Sequence, residues 1–514
     1  MKKLFYSAIF LIIATYALGQ HPFLEEVYDE IKFTPDLVYG ENATVLYFQF
    51  VHEAIKEPLL FDLYEPIDNN ACLLRPLIIY FHSGNFLPVC LNRTTVGTRR
   101  DSSVVEICRR LARSGYVVAS ADYRQGWNAA TTIELEARIG LINAAYRGVQ
   151  DANTSIRYFK KSVAEDGNPF RIDTSSIVLF GDDSGGYLSL HAACLDDYDK
   201  LLNTTLGQFV VPPGYPMIFE EVSGDVEGKN PGIMDTINFP VPWLPFPHGD
   251  TLNYPNHVGY CSKFCTAVAM GSAVADTSWI DPGQPSMICA HVPYDLTTPY
   301  LCDPVYVGDL RVIDVCGCYY TAQTAMNLGN NNFDLPINKM TDFQVSVSEV
   351  AASRTDGIEG ALPIYGDTIS DGTPWVFWDP ATHPCSDFGY VGNPHMTREK
   401  AELYIDTILA FVLPRLFSDL RSKNACIPTK FVEGAQANLL IFPNPTAHEI
   451  YVNSGKDYPM RAIQIYDLSG KLVKQYSDIG LSYYHIPIQN LSPGQYVVSI
   501  EFDQGLYAHQ IVIQ

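Results

Sequence analysis

Three uninterrupted runs of apolar residues, separated by two amphipathic stretches, constrain the fold of this chain more than any other feature. The runs are Pro76–His82, Tyr116–Tyr123 and Ser176–Phe180, and each is typical of a parallel strand covered on both faces. The stretches between them, Val104–Ser114 and Ala144–Lys161, have the helical period. This order predicts an α/β fold with a mostly parallel sheet, helices on both faces and ligands at the carboxyl ends of the strands.

Further segments extend this pattern in both directions. Val45–Val51 and Leu59–Tyr64 are predicted as two early strands, and Pro285–His291 as another buried strand. Lys400–Phe417 has the period of a helix that would close the domain. The Pro-rich stretch Val211–Asn256 has no clear period and is expected to lie over the sheet as a lid or cap. We therefore predict one domain over residues 20–428.

The pattern changes near Ala435, where short alternating strands begin. They are separated by turn-forming residues such as Ser492-Pro493-Gly494. The predicted strands are Leu439–Phe442, Ile450–Val452, Ala462–Tyr466 and Gln495–Ile500. We predict a separate, small, all-β sandwich over residues 435–514.

The amino terminus and the net charge limit the compartment and the partners. Lys2 and Lys3 precede the apolar run Leu4–Leu18, so residues 1–19 are predicted to be a signal peptide, too short for a stable membrane span. A secreted or surface-attached protein is expected. The net charge of -23 repels phosphate backbones, which argues against nucleic acid as a partner.

The cysteines predict disulfides and no metal. Twelve cysteines in an exported chain can oxidise, although the sequence leaves their pairing open. Cys261 and Cys265, and likewise Cys316 and Cys318, lie close in sequence but have no histidine or second pair at zinc spacing. We expect neither a metal nor another cofactor.

The segment Gly181-Asp182-Asp183-Ser184-Gly185-Gly186 follows a predicted strand and precedes a predicted helix. A nucleophile at such a turn needs small residues two positions before and two after it, because strand and helix pack closely there. Gly181 and Gly185 meet this requirement only around Asp183. The spacing therefore predicts that Asp183, and not Ser184, stands at the nucleophile position.

Other segments resemble carboxylesterases of the α/β-hydrolase fold, in order along residues 56–417. Ile79–Phe86 is similar to the loop of those enzymes that contributes backbone N–H groups to an oxyanion hole. Ser120–Arg124 and Tyr146–Ala152 are similar to two further family segments. The resemblance implies an oxyanion hole at Ser83, Gly84 and Ser184, a small ester-like substrate or ligand, and a structural ion pair between Arg124 and Asp151.

The resemblance also implies a triad acid and a histidine. His291–Tyr300 is similar to the family segment that carries the acid, which places Asp295 in that role. The histidine should follow the last strand. Trp375–Trp378 leads to His383, and His395 stands just before the closing helix, so both stay candidates.

The last 75 to 80 residues resemble the carboxy-terminal sorting domain of the bacterial type IX secretion system. The resemblance rests on Phe442–Pro445, Ile465–Lys471 and Leu491–Tyr496 taken together. It implies that the type IX secretion machinery is a partner through this domain.

Asp183 changes the chemistry that the fold can perform. Ester hydrolysis needs a hydroxyl that gives its proton to histidine, and a carboxylate has no such proton. A carboxylate does attack a carbon bearing a halide or epoxide oxygen. Three alternatives stay open: a degenerate protein that binds without hydrolysis, an ester hydrolase using Ser184, and an Asp-nucleophile hydrolase.

Overall fold

The structure is a computed structural model of the 514-residue chain. It describes residues 21–67, 74–212, 214–239, 246–366 and 371–422, and in the C-terminal part residues 440–443, 446, 448–454, 460–467, 472–488, 491–502 and 505–513. The predicted signal peptide, the predicted domain boundary between residues 428 and 435, and Cys72 and Cys426 lie outside the described residues.

The main body is built on one eight-stranded sheet with the order β1-β2-β4-β3-β5-β6-β7-β8. Strands β3 to β8 are parallel, while β1 and β2 pair antiparallel at one edge. The strands are β1 Ile31–Thr44, β2 Ile55–Pro66, β3 Arg75–Phe81, β4 Val117–Ala121, β5 Ile172–Asp182, β6 Thr266–Met270, β7 Ser286–His291 and β8 Ala361–Pro363. The prediction of a mostly parallel α/β sheet is confirmed.

Helices cover both faces of this sheet. The longer ones are α1 Ser102–Arg113, α2 Glu134–Glu165, α3 Ser184–Cys194, α4 Cys318–Asn327, α5 Asp342–Arg354 and α6 Arg398–Ser422. Alternate residues of each strand point to opposite faces, so Ile79 joins the core with α2, α3 and α4, whereas Ile78 joins the core with α1, α5 and α6. The sheet is therefore buried on both sides, which explains its uninterrupted apolar strands.

Smaller elements surround the sheet. A hairpin of Cys302–Val307 and Leu310–Gly317 pairs with Ala273–Val274. The stretch predicted as an insertion forms its own apolar cluster in its described part, including Val222 and Met234. The remaining short elements are Phe48–Val51, Asp199–Leu202, Val210–Val211, Tyr215–Pro216, Glu220–Ser223, Gly232–Ile233, Thr251–Asn253, Thr277–Trp279, Ile337–Lys339 and Ser386–Gly392.

Two sequence-based expectations about strands are wrong. Val45–Val51 is not a strand: β1 ends at Thr44, and Phe48–Val51 is a helical turn. Trp375–Trp378 is buried but extends no sheet, and the last parallel strand is β8, which ends at Pro363. Trp375–Trp378 packs in the core without joining a sheet, whereas Tyr47, Phe50 and Val51 are exposed. An apolar run alone does not separate these cases from sheet pairing.

The C-terminal part contains two antiparallel sheets around a separate apolar core that includes Ile463 and Val498. The three-stranded sheet is Leu440–Phe442, Glu449–Asn453 and Tyr483–Pro487; the four-stranded sheet is Leu472–Leu481, Met460–Asp467, Gly494–Phe502 and Gly505–Ile513. The prediction of an all-β C-terminal part is confirmed. Within the parts of the chain that the structure describes, no helix combines the length and apolar character needed to cross a bilayer.

Candidate functional site

The turn between β5 and α3 has the geometry of a nucleophile elbow centred on Asp183. Asp183 has φ 46° and ψ −113°, a conformation that side-chain-bearing residues rarely adopt. A Cβ atom added to Gly181 would lie 2.1 Å from backbone atoms of Gly185, and one added to Gly185 would lie 2.0 Å from the Phe81 oxygen. The two glycines are therefore required by contacts on both sides of Asp183, which is the register that the sequence predicts.

The carboxylate of Asp183 lies among the groups expected to form the oxyanion hole. The Ser83 hydroxyl donates a hydrogen bond to Asp183 Oδ2 at 2.9 Å. The backbone N–H of Ser184 also donates to the Asp183 carboxylate, and this bond lowers its pKa. Burial and, to a smaller extent, the charge of Asp295 act in the opposite direction, and the pKa of Asp183 is raised to about 6. One expected oxyanion donor, the Ser184 N–H, and the Ser83 hydroxyl thus bind the protein's own carboxylate.

Gly84 shapes the same loop. Its φ of +132° and the 2.7 Å that would separate an added Cβ from the Gly97 Cα both require glycine. Its carbonyl accepts hydrogen bonds from the Leu87 N–H at 2.9 Å and from Asn92 Nδ2 at 3.1 Å. The loop after β3 is therefore fixed by its own backbone.

Within the described residues, the Ser184 hydroxyl has a hydrogen bond to a tyrosine and none to a histidine. Ser184 Oγ lies 2.9 Å from the Tyr123 hydroxyl, and both side chains are buried. The Tyr123 hydroxyl is also 3.1 Å from the His82 carbonyl oxygen. Because the single hydrogen of the Tyr123 hydroxyl is donated to that carbonyl, the Ser184 hydroxyl donates its own hydrogen to the Tyr123 oxygen.

Asp295 lies in the loop after β7, where the resemblance places the acid, and its side chain is 3% exposed. Asp295 Oδ1 accepts hydrogen bonds from the Thr297 N–H at 2.8 Å and the Thr297 hydroxyl at 2.7 Å. His291 Nε2 is 3.8 Å from Asp295 Oδ2, but burial lowers the pKa of His291 to about 4, so this ring is neutral. Burial raises the pKa of Asp295. Asp295 caps a turn in its own loop.

The two candidate histidines lie elsewhere. His383 follows the last parallel strand by twenty residues, and its Nδ1 accepts a hydrogen bond from the Cys385 N–H at 3.2 Å within the same loop. His395 is exposed before α6. Among the described residues, neither histidine has a hydrogen bond or ion pair with Asp183, Ser184 or Asp295. The hydrogen bond between Asp183 and a histidine that the triad interpretation requires is thus not formed.

A cavity of about 600 Å³ opens above the elbow, with Asp183 and Ser184 in its lining. Its walls are mainly apolar and come from α2, α3, the loop after β3 and the hairpin Cys302–Gly317. Representative wall residues are Phe86, Trp127, Ile142, Phe209, Trp279 and Val315. Asp295, His383 and His395 do not line it in the described part of the chain.

The hairpin and residues 134–143 of α2 were not predicted from the sequence, although both contribute to the cavity walls. The alternation in Cys302–Val307 and Leu310–Gly317 around Gly308 is the signal that predicts the hairpin. His191 also lines the cavity. Its Nδ1 lies 2.7 Å from the Tyr187 oxygen and its Nε2 accepts from the Ala275 N–H at 3.1 Å, while burial lowers its pKa to about 4. It is a neutral, fully bonded side chain.

Two disulfides are formed in the described residues, Cys90 with Cys385 and Cys302 with Cys316. The first ties the loop after β3 to the loop that carries His383, with a Cα–Cα distance of 5.6 Å. Across the described residues no group of His, Cys, Asp and Glu side chains is arranged to hold a metal ion.

Comparison with known proteins agrees with this architecture. Residues 61–214, which include β3, the elbow and the whole of α2 and α3, match the BD-FAE family model. The main body has an α/β-hydrolase fold that resembles carboxylesterases. Residues 440–514 match the secretion system C-terminal sorting domain. The protein is therefore exported, to the cell surface or beyond it. No curated protein matches the chain.

Among solved structures, the chain is similar to esterase 2 of Thermogutta terrifontis. The form phosphorylated by paraoxon is 20% identical, with 52% of this chain and 72% of that chain covered and a TM-score of 0.29. The apo form is 19% identical, with 52% and 74% covered and a TM-score of 0.29. The propionate-bound form is 15% identical, with 74% and 94% covered and a TM-score of 0.33. The fold assignment rests on the strand order of the sheet.

Proposed function

We propose that this exported protein binds a small ligand in the cavity above Asp183 and does not hydrolyse esters through an acyl-serine intermediate. The observation that carries the proposal is the position of the Asp183 carboxylate, which accepts hydrogen bonds from the Ser83 hydroxyl and the Ser184 N–H. An ester oxygen that becomes negative during hydrolysis would need donors at this place. The Asp183 carboxylate engages the Ser184 N–H at this place and repels that charge.

The state of Ser184 supports the same proposal. A serine nucleophile needs a base within hydrogen-bond reach, and the partner of Ser184 is the Tyr123 hydroxyl at 2.9 Å. Burial raises the pKa of Tyr123, so its hydroxyl stays protonated and accepts no proton from serine at neutral pH. Ester hydrolysis by Ser184 is therefore disfavoured.

The test is hydrolysis of p-nitrophenyl acetate and butyrate by the wild type and by Ser184→Ala, Asp183→Ser and Asp183→Ser with Asp295→Ala. We expect no hydrolysis above the uncatalysed rate in the wild type, and no gain beyond about tenfold in Asp183→Ser, because a serine at that position has no histidine to activate it. A wild-type rate that Ser184→Ala abolishes would overturn the proposal. So would strong rescue by Asp183→Ser that is lost when Asp295 is replaced.

A second candidate is an Asp-nucleophile hydrolase, which the strained elbow conformation of Asp183 and its place in the cavity lining favour. Incubation with haloalkanes and epoxides followed by peptide mass spectrometry tests it. A covalent alkyl ester on Asp183, absent from Asp183→Asn, would establish this activity in place of simple binding.

A further inference from the structure

The charge and the walls of the cavity together define a ligand class. The inference rests on the proposed function, because a hydrolysed ligand would not be retained. We infer that the cavity binds an amphiphilic amine, with its ammonium group at the Asp183 carboxylate and its apolar body along the cavity walls. Asp183 lies at the end of the cavity next to the elbow, which we call the cavity floor.

The Asp183 carboxylate has hydrogen-bond donors but no cation beside it. Its partners in the described structure are the Ser83 hydroxyl and the Ser184 N–H, and both are neutral. No lysine, arginine or histidine in the described part of the chain forms an ion pair with it. Neutral donors solvate the charge without cancelling it, so the floor carries a negative potential.

The neighbouring Asp295 carboxylate adds to this negative potential. The charge of Asp295 raises the pKa of Asp183, which means that it lies close enough to act on it. Asp295 is itself bonded to Thr297 and faces the neutral ring of His291. Asp182 points the other way, accepts a hydrogen bond from Trp375 Nε1 at 3.0 Å, and has its pKa raised well above the usual value by burial. An anionic ligand is therefore repelled at the floor, and a cation is attracted.

The walls provide a place for an apolar body next to that charge. The cavity volume of about 600 Å³ is within the range of small-molecule sites. Phe209, Trp279 and Val315 line it with other apolar side chains. Tyr187 lies one helical turn from Asp183, its N–H donates to the Asp183 carbonyl oxygen at 2.9 Å, and it also lines the cavity. Aromatic rings beside a carboxylate favour an organic cation such as an alkylammonium, because the rings attract its charge while they contact its methylene groups.

The first part of the test compares three ligands of equal chain length with the full-length protein: octylammonium, octanol and octanoate, each below its critical micelle concentration. Binding is measured by calorimetry at about pH 7.5. We expect octylammonium to bind at least about tenfold more tightly than octanol, and octanoate to bind most weakly. Equal or tighter binding of octanoate would overturn the inference.

The second part replaces Asp183 with its neutral isostere. Asp183→Asn should weaken octylammonium binding by at least about tenfold while leaving octanol binding within about threefold. Asp309→Asn is the matched control. Asp309 is an exposed carboxylate that lines the same cavity, so this variant removes the same charge from the cavity lining but leaves the carboxylate at the floor in place. Equal losses in the two variants would show general charge attraction and overturn the inference. Amine affinity should also fall as the pH is lowered through about 6, where the Asp183 carboxylate takes up its proton.

The same preparations distinguish failure of the inference from failure of the proposed function. Hydrolysis of p-nitrophenyl butyrate that Ser184→Ala abolishes would overturn the proposed function, whatever the amine affinities. Absence of hydrolysis together with no preference for octylammonium would overturn only the ligand class.

Discussion

The two halves of the candidate site differ in the kind of contact that positions their residues. The elbow half, formed by β3, β5 and α3, keeps the strained turn at Asp183, the glycine contacts and the loop after β3. The acid half, formed by the loops after β7 and β8, keeps Asp295 but brings neither His383 nor His395 to it in the described contacts. The elbow depends on backbone packing close in sequence and space. A triad would depend instead on one side chain that a loop distant in sequence supplies.

The close contacts of the elbow half therefore contribute to folding, whatever the site binds. A turn held by backbone contacts stabilises the sheet whether or not a nucleophile stands on it. The acid half has no such constraint, because a capped loop turn such as that of Asp295 forms from local hydrogen bonds alone.

The largest effect is expected from Gly185→Ala in the elbow half. The added methyl group would lie 2.0 Å from the Phe81 oxygen. Since neither strand nor helix can move without breaking the sheet, we expect a loss of at least about 5 kcal/mol in the free energy of unfolding, or failure to fold. Gly259→Ala is the control, because no atom lies within 4 Å of its added Cβ. Urea denaturation of both variants checks this, and similar curves would mean that the elbow is not tightly packed.

The next largest effect is expected from removal of the disulfide that joins the two halves. Replacing Cys90 and Cys385 by serine opens a link between positions 295 residues apart and should cost about 4 kcal/mol of unfolding free energy through the entropy of the unfolded chain. If the halves are independent, ligand affinity should stay within about twofold. The matched variant lacks Cys302 and Cys316, which are 14 residues apart, so its stability loss should be smaller. A large loss of affinity without Cys90 and Cys385 would show that the halves act together.

The same division explains what the sequence could predict. The sheet and the elbow follow from local patterns: buried strands of the expected length, and glycines whose spacing around Asp183 is required by close contacts. Strand β6 was not predicted, although Thr266 and Val268 are common in strands, because Thr266–Met270 is short and follows the long aperiodic stretch Val211–Asn256.

The missing histidine contact could not be predicted for a different reason. Trp375–Trp378 has the apolar character of a strand, but Trp375 is buried because its ring donates to Asp182 at 3.0 Å and packs in the core. The path of such a loop depends on tertiary contacts between segments far apart in sequence. Its direction, and with it the place of His383, is therefore not encoded in any short window of residues.

A moderate effect is expected from the pH dependence of stability around Asp183. Its pKa is about 6 in the folded protein against a usual value of 3.8, so the folded state binds the proton more tightly than the unfolded state. Its ionisation therefore destabilises the fold as the pH rises from about 4 to about 6. We expect Asp183→Asn to be more stable than the wild type by about 2 kcal/mol above about pH 6.5 and equal to it near about pH 4, after allowing for partial exposure. Chemical denaturation across this range checks the sign, and a wild type that is the more stable protein at high pH would contradict it.

The smallest effect concerns the hydrogen bond between Ser184 and Tyr123. It tests whether Ser184 is bonded within the elbow half alone. The two hydroxyl oxygens are 2.9 Å apart and buried. Ser184→Ala should lower the free energy of unfolding by about 1 kcal/mol, and Tyr123→Phe by more, because the Tyr123 hydroxyl also bonds the His82 carbonyl oxygen. Once one partner is replaced the bond is absent, so the double variant should lose about as much free energy of unfolding as the larger of the two single changes. Additive losses would mean that Ser184 has another partner, such as a histidine from the acid half, and the two halves would then form one hydrogen-bonded site.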